Sequence, residues 1–190
     1  MTHRVVLVTG PARSGKSEWA ETLAQKTGKP LVYVATARRD PSDSEWSDRI
    51  ERHRERRGGE WTTLEVPIEL AASLQQATPG SCWLVDSLGT WVTNCLDLDE
   101  ASWSEVRRRL LASLADLPEI ELIFVAEEVG WGVIPAYPVG RLFRDRLGSL
   151  VRDLGAIADP VYLVVAGRAV NLARLGTPLG PTPDRPDFNF

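Results

Sequence analysis

A doubly wound α/β fold, with a mostly parallel sheet flanked by helices, is what this sequence predicts, on three observations. Short runs of Val, Leu and Ile recur along the chain, stretches with helical character lie between them, and the first run leads straight into a glycine-rich turn. The runs are nearly continuous in apolar residues rather than alternating, which is how strands buried on both faces of a parallel sheet read.

The elements follow in order. Val5 to Val8 reads as the first strand and Ser14 to Gln25 as the helix after it; Leu31 to Val34 is a second strand. Ser42-Asp43-Ser44-Glu45 is a capping box opening a helix that can run through Arg57 and end at Gly58-Gly59. Thr62 to Val66 is a weaker, short strand. Strands are expected again at Cys82 to Val85, Leu122 to Val125 and Val161 to Val165, with helices at Leu88 to Leu96, Trp103 to Leu114 and Val139 to Ala158. From Gly176 to Phe190 the prolines Pro178, Pro181, Pro183 and Pro186 exclude helix and central strand, so residues 1–175 are expected as one domain and 176–190 as a tail.

Composition narrows the class. The 190 residues suffice for one well-filled core, and 43% hydrophobic with 25% charged residues is ordinary for a globular protein. A formal charge of -4 argues against a surface built for polyanions, so no nucleic acid partner is expected. Two cysteines, Cys82 and Cys95, are too few for a disulfide framework and fit a reducing cytoplasm. The start of the chain lacks a signal-peptide pattern, and no window approaches the roughly 18 apolar residues of a membrane span.

Between the first strand and the first helix stands Gly10-Pro11-Ala12-Arg13-Ser14-Gly15-Lys16-Ser17, which satisfies G-x-x-x-x-G-K-[ST] in the context that gives the pattern its meaning. The glycines let successive amide N–H groups converge on phosphate oxygens, and the following helix points its positive end at the same place. Lys16 is expected to reach the β and γ phosphates, and the Ser17 hydroxyl to ligate Mg²⁺. Trp83-Leu84-Val85-Asp86 is an apolar strand ending in an acid. Taken alone, such an Asp is more often a turn residue or cap. With a phosphate loop upstream, Asp86 becomes the candidate for the metal.

The helix through Arg57 pairs much of its charge internally, with Glu45/Arg49 and Asp48/Arg52 four residues apart. His53 lies on its apolar side, seven residues from Trp46 and three from Ile50, with Arg49 and Arg57 one turn away on either side. Neighbouring guanidinium groups disfavour a charged imidazole and keep a lone pair available as a nucleophile. A histidine at this spacing is also an ordinary component of an amphipathic helix. His3, near the chain start, is assigned no role.

Taken together these segments resemble the bifunctional adenosylcobinamide kinase / adenosylcobinamide-phosphate guanylyltransferase family of cobalamin biosynthesis. The resemblance is carried by Leu7 to Ser17, Tyr33-Val34-Ala35-Thr36-Ala37, Arg49-Ile50-Glu51-Arg52-His53-Arg54 and Trp61. It continues through Leu84-Val85-Asp86-Ser87-Leu88, Trp91-Val92-Thr93-Asn94, Glu128 to Pro135, Phe143-Arg144-Asp145 and Val164-Val165-Ala166-Gly167. It implies a RecA-like P-loop NTPase fold, assembly as a trimer, and a two-step enzyme. Such proteins phosphorylate adenosylcobinamide with ATP or GTP, then transfer GMP from GTP through a guanylyl-histidine, giving adenosylcobinamide-GDP and pyrophosphate. The resemblance places the nucleophile on His53 and the nucleotide contacts on Gly10 to Ser17, Ala35, Thr36, Ala37, Arg54, Glu55, Arg56, Arg57, Glu65 and Asp86. Two departures stand out: Glu127 occupies a place where the family usually has Asn, and Pro11 stands where Gly is common. Two further readings share the phosphate loop: a kinase of another small metabolite without guanylyl transfer, with His53 structural, and a nucleotide-dependent binding switch.

Overall fold

A computed structural model describes residues 4–38, 58–177 and 179 of the chain. The strands are β1 (Arg4–Gly10), β2 (Leu31–Ala35), β3 (Trp61–Glu65), β4 (Cys82–Asp86), β5 (Glu121–Glu127), β6 (Val161–Val165) and β7 (Arg168–Asn171). They form one sheet in the order β3-β2-β4-β5-β1-β6-β7, parallel throughout except for the antiparallel β6–β7 pair. The described α-helices are α1 (Lys16–Gln25), α2 (Leu70–Gln75), α3 (Leu88–Asn94), α4 (Glu100–Ser113) and α5 (Pro138–Ile157).

The uninterrupted apolar runs have the physical cause expected of them. Val5 and Leu7 point into one core and Val6 and Val8 into another, because successive side chains of a strand face opposite sides. The larger core packs the sheet against Leu70 and Leu74 of α2, Trp91 of α3, Leu110 of α4 and Leu147, Leu150 and Leu154 of α5. On the other face, Ala20 and Ala24 of α1 lie against Tyr33, Trp61, Leu84 and Ile123. Helices on both faces make the sheet doubly wound. One strand, β5, separates the phosphate-loop strand β1 from the acid-bearing strand β4, in keeping with the expected RecA-like arrangement.

The structure departs from the sequence reading at a few edges. Helix α1 begins at Lys16 rather than Ser14, because Gly15 sits at φ 91 as the residue before the helix and Ser14 belongs to the turn. Helix α4 begins at Glu100, ahead of the expected Trp103, because the Asp99 side chain accepts the Ser102 N–H and caps it. Helix α2 and strand β7 went unforeseen. The weak strand near Thr62 exists as Trp61–Glu65. The helix expected over Ser42 to Arg57 and most of the proline-bearing tail lie outside the described residues.

Candidate functional site

Register decides what meets at the C-terminal edge of the sheet. Ala35 of β2 pairs with both Glu65 of β3 and Asp86 of β4, Asp86 pairs with Val125 of β5, and Gly10 of β1 pairs with Glu127 of β5. Glu65, Ala35, Asp86, Glu127 and Gly10 therefore mark five neighbouring strand ends along the edge where open α/β sheets bind ligands.

The phosphate loop grows from the last of these. A Cβ on Gly10 would lie 2.3 Å from the Val164 carbonyl oxygen and 2.8 Å from Ser14 Oγ, so only glycine fits where β1 turns upward beside β6. The chain then passes through Arg13 at φ 58 and Gly15 at φ 91, two left-handed positions that fold the loop back over the start of α1. The Ser14 N–H donates to the Pro11 carbonyl at 3.3 Å, and the Lys16 ammonium donates to the same oxygen at 3.4 Å. Lys16 is 8% exposed, so its charge is held inside the loop rather than in bulk water. Ser14 Oγ is buried without a hydrogen-bond partner, tucked against Gly10.

Asp86 and its surroundings come next. The Tyr33 hydroxyl donates to Asp86 Oδ2 at 3.1 Å, which orients the carboxylate across the β2–β4 seam. Thr36 is fully buried; its hydroxyl donates to the Ser87 carbonyl at 2.8 Å and accepts from the Ser87 N–H at 3.0 Å. The Asn94 amide donates to the carbonyls of Thr36 at 2.8 Å and Pro67 at 2.9 Å. The loops after β2, β3 and β4 are thus tied together by two side chains. Glu127 Oε2 accepts the Gly89 N–H at 3.0 Å, and a Cβ on Gly89 would lie 2.0 Å from that oxygen.

The expected site residues fall partly inside and partly outside the described residues. Gly10, Pro11, Ala12, Arg13, Ser14, Gly15, Lys16 and Ser17 form the loop and first helical turn, and Asp86 and Ala35 lie at adjoining strand ends. Thr36, just past the end of β2, has its hydroxyl engaged by Ser87 and its carbonyl by Asn94, and Ala37 follows it in the chain. Glu65 stands at the exposed end of β3, two strands away from Asp86. His53, Arg54, Glu55, Arg56 and Arg57 lie outside the described residues. Sequence reading missed Tyr33 and Asn94 as partners of the site. A hydroxyl two residues before a strand end and an amide inside the expected helix Leu88 to Leu96 are the available signals.

No group of three or more His, Cys, Asp or Glu suited to a metal occurs among the described residues. Ser17 and Asp86 offer one hydroxyl and one carboxylate, hard oxygen donors of the kind Mg²⁺ takes when phosphates and water supply the rest of its shell. The residues fit that ion.

The family described as cobinamide kinase / cobinamide phosphate guanyltransferase matches residues 6–172. The "Bifunctional adenosylcobalamin biosynthesis protein CobP" of Pseudomonas aeruginosa is 41% identical over 175 residues, covering 91% of this chain and 98% of the relative. The "Bifunctional adenosylcobalamin biosynthesis protein CobU" of Escherichia coli is 34% identical over 182 residues, and its namesake from Salmonella typhimurium 32%. Each of those two alignments covers 88% of this chain and 99% of the relative.

Proposed function

Because the chain belongs to the cobinamide kinase / cobinamide phosphate guanyltransferase family, we infer that it carries both activities, phosphorylating cobinamide and then transferring GMP to the cobinamide phosphate. The observation that carries this reading is the family match across residues 6–172, which takes in the phosphate loop, the Asp86 strand end and the α3 and β5 motifs together. ATP or GTP serves as nucleotide substrate.

In the kinase step the terminal hydroxyl of cobinamide attacks the γ-phosphorus, the bond to the β-phosphate oxygen breaks, and the nucleoside diphosphate leaves. Lys16 and the loop amides hold the phosphates and spread the charge that develops on them, so positioning and electrostatics do most of the catalysis. Ser17 and Asp86 would hold Mg²⁺, which when bound would supply further neutralisation of the phosphate charge. Tyr33 fixes the Asp86 carboxylate for that task.

In the second step His53 attacks the α-phosphorus of GTP and pyrophosphate leaves. An oxygen of cobinamide phosphate then displaces the imidazole from the guanylyl group, splitting one displacement into two. Ala35, Ala37, Glu65 and the run Arg54 to Arg57 serve the nucleotide, and the adenosylated corrinoid is the acceptor. Residues 1–175 act as one catalytic unit with 176–190 as a tail, and the enzyme works in the cytoplasm as a homotrimer. No described helix is long and apolar enough to cross a membrane.

The experiment is transfer of labelled phosphate from γ-labelled ATP or GTP to cobinamide with Mg²⁺. Wild type should label the corrinoid. An enzyme that labels no corrinoid but turns over another small hydroxyl compound would overturn the reading.

A further inference from the structure

We propose that the loop joining β5 to α5, together with the first turn of α5, is the platform on which the corrin macrocycle of the substrate rests; this builds on the function proposed above. The first observation is where exposed apolar surface lies. Of the nine exposed large hydrophobic side chains among the described residues, five fall between residues 131 and 139: Trp131, Val133, Ile134, Tyr137 and Val139. Trp131 is 66% exposed, Tyr137 77% and Val133 94%. A strip of this kind on a soluble fold marks a surface that something covers.

The second observation is that the backbone carrying the strip is tied at both ends. The Arg141 guanidinium donates to the carbonyls of Pro135 at 3.0 Å and Ala136 at 2.8 Å. Gly140 passes so close that a Cβ there would lie 2.9 Å from Pro135 Cβ. At the other end the Gly130 N–H donates to Glu128 Oε1 at 2.9 Å, and the Glu128 N–H donates to the Gly10 carbonyl at 2.9 Å. A loop anchored at both ends loses less backbone freedom when a ligand covers it than a free one does, which favours binding.

The third observation is position. The loop leaves the sheet at Glu127, opposite Gly10, and its first amide bonds the first residue of the phosphate loop. The acceptor hydroxyl must reach a γ-phosphate held there. It hangs on an arm of a macrocycle far larger than the arm itself, so the ring has to lie against protein beside the phosphate loop. A corrin ring has methyl-bearing, largely apolar faces and a rim of amides. Its faces suit Trp131, Val133, Ile134 and Tyr137, and its amides suit the backbone groups between them.

The test uses the full-length chain and two variants, Trp131→Ala with Ile134→Ala, and Val133→Asp, all at exposed positions whose replacement spares the core. The kinase assay yields kcat and KM for cobinamide and KM for the nucleotide, and analytical ultracentrifugation yields the mass. The proposal expects the cobinamide KM to rise about tenfold or more, as loss of apolar contact area on this scale does, with kcat, nucleotide KM and mass near wild type. An unchanged cobinamide KM overturns it. A fall in mass with KM restored at high protein concentration also overturns it, assigning the strip to a second copy of the chain. Wild type that phosphorylates no cobinamide removes the proposed function and this proposal together, whereas active wild type with unaffected variants removes this proposal alone.

Discussion

Replacing Gly10 by alanine tests whether the fit between β1 and β6 forms the phosphate loop. The added Cβ would lie 2.3 Å from the Val164 carbonyl oxygen, 2.8 Å from Ser14 Oγ and 3.3 Å from the Val164 carbonyl carbon. Non-bonded atoms rest near 3.5 Å, so a gap of about 1 Å must open. Ser14 Oγ can rotate away. The carbonyl cannot, because β6 is bonded to β1 on one side and to β7 on the other, with Val164 opposite Ala169. Overpacking of this kind costs about 1–3 kcal/mol. At roughly 2–4 °C per kcal/mol for a chain of this size, a cost of about 2 kcal/mol lowers Tm by about 4–8 °C. The control is Gly148→Ala: Gly148 sits in α5 with no atom within 4 Å of a new Cβ. Alanine there should gain about 0.5–1 kcal/mol from helix propensity and raise Tm slightly. Calorimetry reads both variants, and nucleotide titration of Gly10→Ala should show weakened binding. A Gly10→Ala protein that melts with wild type and binds nucleotide as well as wild type would refute the reasoning.

Further outcomes follow from the same geometry. Lys16→Ala should keep its fold and lose about 10²–10³-fold in kinase kcat, the usual effect of removing one donor aimed at developing charge, as steady-state kinetics will read. Asn94→Asp replaces two donated hydrogen bonds with a carboxylate facing the Thr36 and Pro67 carbonyls. A loss of about 1–3 kcal/mol in urea unfolding is expected, and an unchanged midpoint would show that the tie does not matter. Burial pushes the Cys82 thiol from the ordinary 9.0 up to about 12. Between those values the unfolded thiol ionises while the folded one keeps its proton, so stability falls as pH rises through that window. The advantage of wild type over Cys82→Ala should accordingly narrow from pH 9 upward, and a constant difference would contradict the assignment. Neither buried thiol should react with an alkylating reagent at pH 8 unless the protein is unfolded.

The features readable in the sequence were those with short-range causes. The glycine spacing from Gly10 to Gly15 announces a loop because left-handed backbone and close approach are local demands, and the apolar runs announce strands because burial on both faces leaves no polar alternation. Helix α2 is six residues long and its preceding residue, Glu69, provides no side-chain cap, so nothing local marks it. Strand β7 exists because Ala166 at φ 50 and Gly167 at φ 70 turn the chain back against β6, and its own residues Arg168 to Asn171 carry little apolar pattern. The partners of the site were hidden by distance along the chain. Tyr33 meets Asp86 across 53 positions and Asn94 meets Thr36 across 58, contacts that sheet register creates and periodicity cannot display. His53 is marked in the sequence by its arginine neighbours and by the family resemblance, and it lies outside the described residues.

The role proposed for His53 is what a single labelling measurement reaches. Wild-type protein incubated with α-labelled GTP and Mg²⁺, then denatured, should retain label through a bond that survives base and breaks in acid, as a phosphoramidate does, and peptide mapping should place it on His53. His53→Ala should retain none while still passing γ-phosphate to cobinamide. Absence of label on wild type, or undiminished label on His53→Ala, would contradict the guanylyl-histidine step.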